Sequence, residues 1–226
     1  MRLVTFGCSN TAGEGLDDAI TTGNPGQPDR PSMFAWPQLL ADQMNLENIN
    51  MAQGGSSNKQ ITWTIQNFDF QKDDVVVIMW SMPNRWCLIT DNRNTDNLPK
   101  LNKIGPWKVR KKIKFAKTTS DYYYKHLYNE FDSLVDTYTR IDYVSNMLNN
   151  LSIKNFHAMC RDDEFPDWKY SEKILRKNQF KWQTTEFLQT TIDNSTIDIA
   201  PDDDHPGYAS HRLIAEKIHK EIEDRV

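Results

Sequence analysis

At 226 residues with a formal net charge of −4 and a pI near 5.7, the chain lacks the basic excess of a dedicated nucleic-acid binder. A mean hydropathy of −0.70, with no apolar run near the roughly 18 residues of a membrane span, argues for a soluble protein that does not cross a bilayer. Cys8, Cys87 and Cys160 are far apart and form no C-x-x-C pair, which argues against a disulfide framework or zinc site and for a reducing compartment.

In chain order, Leu3-Val4-Thr5-Phe6 reads as a strand broken at Gly7 and followed by small polar residues, Cys8 to Thr11. The stretch TTGNPGQPDRP holds too many breakers for regular structure. Trp36 to Met44 reads as a helix with Pro37 in its first turn. Ile49 to Ala52 is a short strand ending before Gly54-Gly55, and Ser57 to Phe68 a helix. VVVIMW, residues 75–80, is a continuous apolar run of the kind found in a parallel strand covered on both faces. Residues 88–120 read as an irregular insertion, whose basic run KVRKKIKFAK suits a solvated face. From Asp121 to Leu151 one helix is expected, with Leu127, Phe131, Leu134, Val135, Tyr138, Ile141, Met147 and Leu148 forming its buried stripe. Ile153 to Cys160 reads as a fourth strand. The last stretch, Gly207 to Arg225, reads as an amphipathic helix with Leu213, Ile214, Ile218 and Ile222 inward. Such alternation predicts a three-layer α/β/α sandwich around a mostly parallel sheet, as one domain over residues 1–226.

Three predicted strand ends carry GCSNT (7–11), NMAQGGSSN (50–58) and WSMPNR (80–85); PDDDHPGYASH (201–211) precedes the last helix. In a parallel sheet the first three share the carboxyl edge, where ligands bind in open α/β folds. Together they supply a serine, a histidine, carboxylates, glycine amides and an asparagine, the parts acyl transfer needs. Taken alone, Ser9 could be a nucleophile, a phosphate-loop hydroxyl or a cap, and a serine after a strand–glycine turn is more often a cap or loop residue than a nucleophile. Trp80, Trp86 and Trp107 could line a sugar site, although tryptophan more commonly packs in a core or rim. Cys8 reads as a buried thiol pointing away from Ser9 by strand alternation.

The four segments, in this order, resemble the blocks of the SGNH (GDSL-type) hydrolases. The resemblance implies Ser9 as nucleophile and His205 as base, with Asp202 orienting the imidazole. The Ser9 and Gly55 amides and the Asn84 side chain would hold the oxyanion. It implies no cofactor and no metal; the Asp202-Asp203-Asp204 run suggests a cation, but no carboxylates at loop-ligand spacing accompany it. Spacing favours Asp202 over its two neighbours, and His211 is a competing base. Two departures stand out. Cys8 occupies the place where the family usually has aspartate, and Ser81-Met82-Pro83-Asn84-Arg85 lacks the glycine and aspartate of the third block. The WPQLLADQM helix and the HPG before the last helix look most like bacteriophage-encoded members. With no secretory signal in the sequence, that implies a place in the host cytoplasm or on the virion. The implied activity is hydrolysis of a small-molecule or glycan ester, O-acetyl groups on carbohydrate being one candidate. The alternatives are a non-catalytic phage structural or host-binding protein on the same fold, and a flavodoxin-like FMN protein using GCSNTAG as a phosphate loop, which leaves PDDDHPG unexplained.

Overall fold

The computed structural model describes residues 1–20, 30–90, 100–106, 114–161 and 187–225. Its strands are β1 (Arg2–Phe6), β2 (Glu47–Asn50), β3 (Val75–Trp80), β4 (Trp86–Thr90), β5 (Lys100–Ile104) and β6 (Lys154–Met159). Its α-helices are α1 (Ser9–Ala12), α2 (Trp36–Met44), α3 (Asn58–Gln66), α4 (Lys114–His126), α5 (Glu130–Asn150) and α6 (Tyr208–Glu223). Four strands pair in parallel in the order β2-β1-β3-β6.

All six residues of β3 are buried, because both faces of the sheet are covered. Alternation sends Val75, Val77 and Met79, with Leu3, to one face, where Trp36 and Leu40 of α2 and Ile214, Ile218 and Ile222 of α6 pack. Val76, Ile78 and Trp80, with Val4 and Phe6, go to the other, against Ile61 and Ile65 of α3 and Tyr138, Ile141, Val144 and Leu148 of α5. The three-layer sandwich expected from the alternation is the observed fold. Among the described residues no helix is long and apolar enough to cross a membrane.

Three expectations need correcting. The single helix over 121–151 is two helices. Asn129 caps α5 by accepting the Asp132 N–H at 3.0 Å, and Leu127 and Phe131, placed in the buried stripe by their spacing, are exposed. A local cap outweighs apolar continuity here. The 88–120 insertion is not irregular throughout: β4 and β5 form an antiparallel hairpin pairing Trp86 with Ile104 and Thr90 with Lys100. Strand β2 starts earlier than expected and pairs Ile49 with Val4. Residues 21–29 of the Gly/Pro-rich loop, Trp107 and residues 108–113 of the basic run lie outside the described residues.

Candidate active site

β1 stops at Phe6, and Cys8 adopts an extended conformation (φ −106°, ψ −157°) whose carbonyl accepts the N–H groups of Thr11 and Ala12, each at 3.0 Å. That pairing starts α1 at Ser9. Ser9 and Cys8 therefore diverge because the chain turns from strand to helix between them, not through strand alternation. Ser9 is buried, and Cys8 is wholly enclosed. The turn closes on Gly13 in the left-handed region.

The loop before α6 folds on itself. Ile199 and Pro206 form an antiparallel bridge, and the Ala200 amide donates to the His205 carbonyl at 2.8 Å. At its tip, Asp202 Oδ1 accepts the amides of Asp204 and His205, both at 3.2 Å, while Oδ2 lies 2.6 Å from His205 Nδ1. Burial works against ionisation of Asp202. The His205 hydrogen bond, the Asp204 amide and the imidazole's charge nonetheless hold its carboxyl below the usual range. Asp203 and Asp204 are exposed. Of the three aspartates, Asp202 is the one hydrogen-bonded to the imidazole.

This loop is seated on the turn that follows Ser9. Gly15 has φ +92°, and a Cβ there would lie 2.6 Å from Asp202 Oδ1, so only glycine admits the carboxylate. Tyr208 adds a second tie, its hydroxyl donating to Asp17 Oδ2 at 3.0 Å. His205 hydrogen-bonds Asp202 and not Ser9. His211, the competing base, is enclosed by its surroundings. It is fully buried, its Nδ1 accepts the Trp36 N–H at 3.1 Å, and burial pushes its pKa down to about 4. It fastens α6 to α2 as a neutral ring.

The segments after β2 and β3 carry the other candidate groups. Gly55 has φ +68°, and the preceding carbonyl, Gly54 O, accepts Lys103 Nζ at 2.5 Å. Asn50 binds this segment to α1, donating to Thr11 O at 2.9 Å while its Oδ1 accepts the Ala52 amide at 3.0 Å. Asn84 is half-buried in a turn closed by Arg85 N–H to Met82 O, and its carbonyl accepts the Tyr124 hydroxyl.

Several of these residues escaped sequence reasoning. Asn58 is the largest omission: its buried amide accepts the Ser81 N–H at 2.8 Å and donates to Ser81 O at 2.9 Å and to Thr137 Oγ1 at 3.1 Å. It fixes the chain as it leaves β3. The available signal was an amide residue directly after the Gly55-Ser56-Ser57 turn. Cys8 and Cys160 also meet, although nothing in their spacing suggests it. Asn10 Nδ2 donates to Cys160 Sγ at 3.1 Å; Cys8, together with burial, pushes the Cys160 thiol up. Trp80 is core, donating to His157 Nδ1 at 2.9 Å. Trp86 stacks on Tyr123 with ring centroids 5.2 Å apart, and Lys59 Nζ lies 5.2 Å from its ring centroid. Among the described residues no three His, Cys, Asp or Glu side chains gather as a metal site.

No protein-family model and no curated protein matches the chain. Solved structures do. TesA aligns with a TM-score of 0.57 at 12% identity, covering 100% of both chains. A protein assigned to the G-D-S-L family of lipolytic proteins, from Desulfitobacterium hafniense, aligns at 0.50 and 10% identity over 97% of this chain and 98% of that one. An acetyl xylan esterase from the rumen bacterium Butyrivibrio proteoclasticus aligns at 0.55 and 12%, over 99% of this chain but 63% of its own. The structural neighbours are GDSL-type hydrolases and esterases, and this chain has their fold.

Proposed function

We propose that the chain is a serine esterase of the SGNH type, acting as one domain over residues 1–226. The observation that carries this reading is the 2.6 Å Asp202–His205 pair, seated through Gly15 on the turn that follows Ser9. With Nδ1–H donated to Asp202, the other ring nitrogen, Nε2, is left as the basic one. In this mechanism His205 Nε2 takes the Ser9 proton as Oγ attacks the ester carbonyl, and Asp202 stabilises the imidazolium that forms. The tetrahedral oxyanion accepts hydrogen bonds from the amides of Ser9 and Gly55 and from the Asn84 side chain. The imidazolium returns the proton to the departing alcohol, leaving Ser9 acylated. Water, deprotonated by His205, then releases the acid and restores Ser9. No cofactor takes part.

The substrate in this reading is an acyl ester of a small molecule or glycan. An acetyl xylan esterase among the structural neighbours supports O-acetyl carbohydrate as the class to try first. On the resemblance of two segments to phage-encoded members, the place of action is the host cytoplasm or the virion. A second reading, a non-catalytic structural or host-binding protein on the same fold, is favoured by the altered first and third blocks, where Cys8 and Ser81-Met82-Pro83-Asn84-Arg85 depart from the family pattern.

One experiment separates the two. A fluorophosphonate probe labels the wild type and not Ser9→Ala, and the variant loses at least about 10³-fold of p-nitrophenyl acetate hydrolysis if Ser9 is the nucleophile. Equal labelling and equal hydrolysis in the two proteins would leave the non-catalytic reading.

A further inference from the structure

Helix α4 and strand β5 reach back to the segments after β3 and β2 through main-chain carbonyls. Tyr124 of α4 donates to Asn84 O, and Lys103 of β5 donates to Gly54 O. The second contact has the larger chemical consequence. Gly54 C=O and Gly55 N–H are two ends of one planar peptide unit, coupled by resonance. An ammonium on the oxygen draws electron density toward it, which leaves the N–H at the other end a stronger donor. It also fixes the plane in which that N–H points. Glu14 also packs closely here: a Cβ on Gly54 would lie 2.6 Å from Glu14 Oε2. Lys103 is half-buried and is held in register opposite Cys87, a fully buried residue of β4, so the ammonium is delivered by a paired strand and not by a free loop.

We propose that Lys103 is a positioning residue for ester hydrolysis: by clamping Gly54 O it orients and polarises the Gly55 N–H that holds the oxyanion. This rests on the serine-esterase reading. The clamp acts on charge that develops only in the transition state, so its loss belongs in kcat and not in KM.

The test compares wild type, Lys103→Met, Lys103→Gln and Lys103→Arg in three measurements. These are kcat and KM on p-nitrophenyl acetate, inhibition by a trifluoromethyl ketone that forms a serine hemiketal, and the Gly55 amide proton shift by NMR. The NMR spectrum also reports that each variant is folded. Lys103→Met and Lys103→Gln are expected to lower kcat about tenfold with KM within about twofold, a fraction of the effect of deleting an oxyanion donor outright. They should weaken the ketone by the same factor as kcat and move the Gly55 proton upfield. Lys103→Arg, which keeps a cationic donor, should recover most of all three. An unchanged kcat, a loss confined to KM, or a Gly55 proton that does not move in folded Lys103→Met overturns the proposal. Should the wild type hydrolyse no ester and Ser9→Ala behave identically, the esterase reading fails on its own. The Gly55 shift then decides the clamp alone: moved, the polarised peptide stands; unmoved, it falls.

Discussion

His205 takes its orienting bond from Asp202, three residues back, and the loop around them is closed by its own Ala200–His205 and Ile199–Pro206 pairings. Gly54 and Asn84 are held quite differently, by Lys103 and Tyr124, which lie 49 and 40 residues away. The 199–206 loop is a self-contained turn that docks as a unit on Gly15. The Gly54 and Asn84 segments are tied to separate elements, and their geometry is only as good as the packing of the hairpin and α4. A damaged insertion should therefore leave the imidazole paired with Asp202 while loosening Gly54 and Asn84.

Substitutions in the two regions sharpen that contrast. The largest effect is expected at the local turn: Asp202→Asn should lower kcat about 10⁴-fold, because the imidazole loses both orientation and charge stabilisation. Asp203→Asn and Asp204→Asn, at exposed positions, should change it by less than about threefold. Steady-state kinetics on one simple ester checks all three, and equal losses would mean that the acidic run works as a block. On the assembled side, Asn84→Ala should cost about 10²-fold in kcat, the worth of one oxyanion donor. Little change there, with Ser9 still essential, would leave a two-donor hole made by the Ser9 and Gly55 amides.

A smaller effect is expected in stability against pH. His211 is buried in α6 and His157 in β6 beside Trp80, and burial lowers their pKa values to about 4 and about 3 from 6.5. In the folded protein both rings stay neutral at pH values where the unfolded chain has already taken up protons. Stability is thus at full strength above about pH 6.5 and falls on acidification, by up to about 1.4 kcal/mol per pH unit for each ring. The His211 share should level off near pH 4, and the His157 share near pH 3. Urea midpoints between pH 7 and about pH 4 should show a shallower slope in His211→Gln and in His157→Gln than in wild type. A slope unaltered by His211→Gln would show that α6 does not enclose that ring as tightly as its burial implies.

The same contrast explains what could be read from the sequence. VVVIMW announced a covered parallel strand because its apolar run is unbroken, and Asp202 could be singled out because its partner is a near neighbour in sequence. Helix α6 was legible from periodicity: Ile214, Ile218 and Ile222 recur at spacings of four and all are buried. The hairpin was not legible, since β4 exists by pairing with β5, a strand ten or more residues on in sequence, and Cys87 buried beside an exposed Leu88 is too short a pattern to declare it. Asn58 reaches Ser81 and Thr137 across 23 and 79 residues, and Asn10 reaches Cys160 across 150. Such contacts depend on strand order, which no local pattern encodes. Lys103 belongs to the same class, for a lysine in a polar segment reads as a solvated charge until the strand carrying it is placed beside Gly54.

The ties between the two ends of the chain have a consequence for its synthesis. Asp17 meets Tyr208 across 191 residues, and Trp36 meets His211 across 175. A ribosome adding about 5–20 residues per second separates the emergence of such partners by about 10–40 s. Through that interval the nascent chain exposes the α2 and sheet surfaces that α6 will later cover, and Ser9 is without the loop that carries His205. A chaperone that shields the α2 face until α6 arrives would therefore change yield without touching any residue of the site.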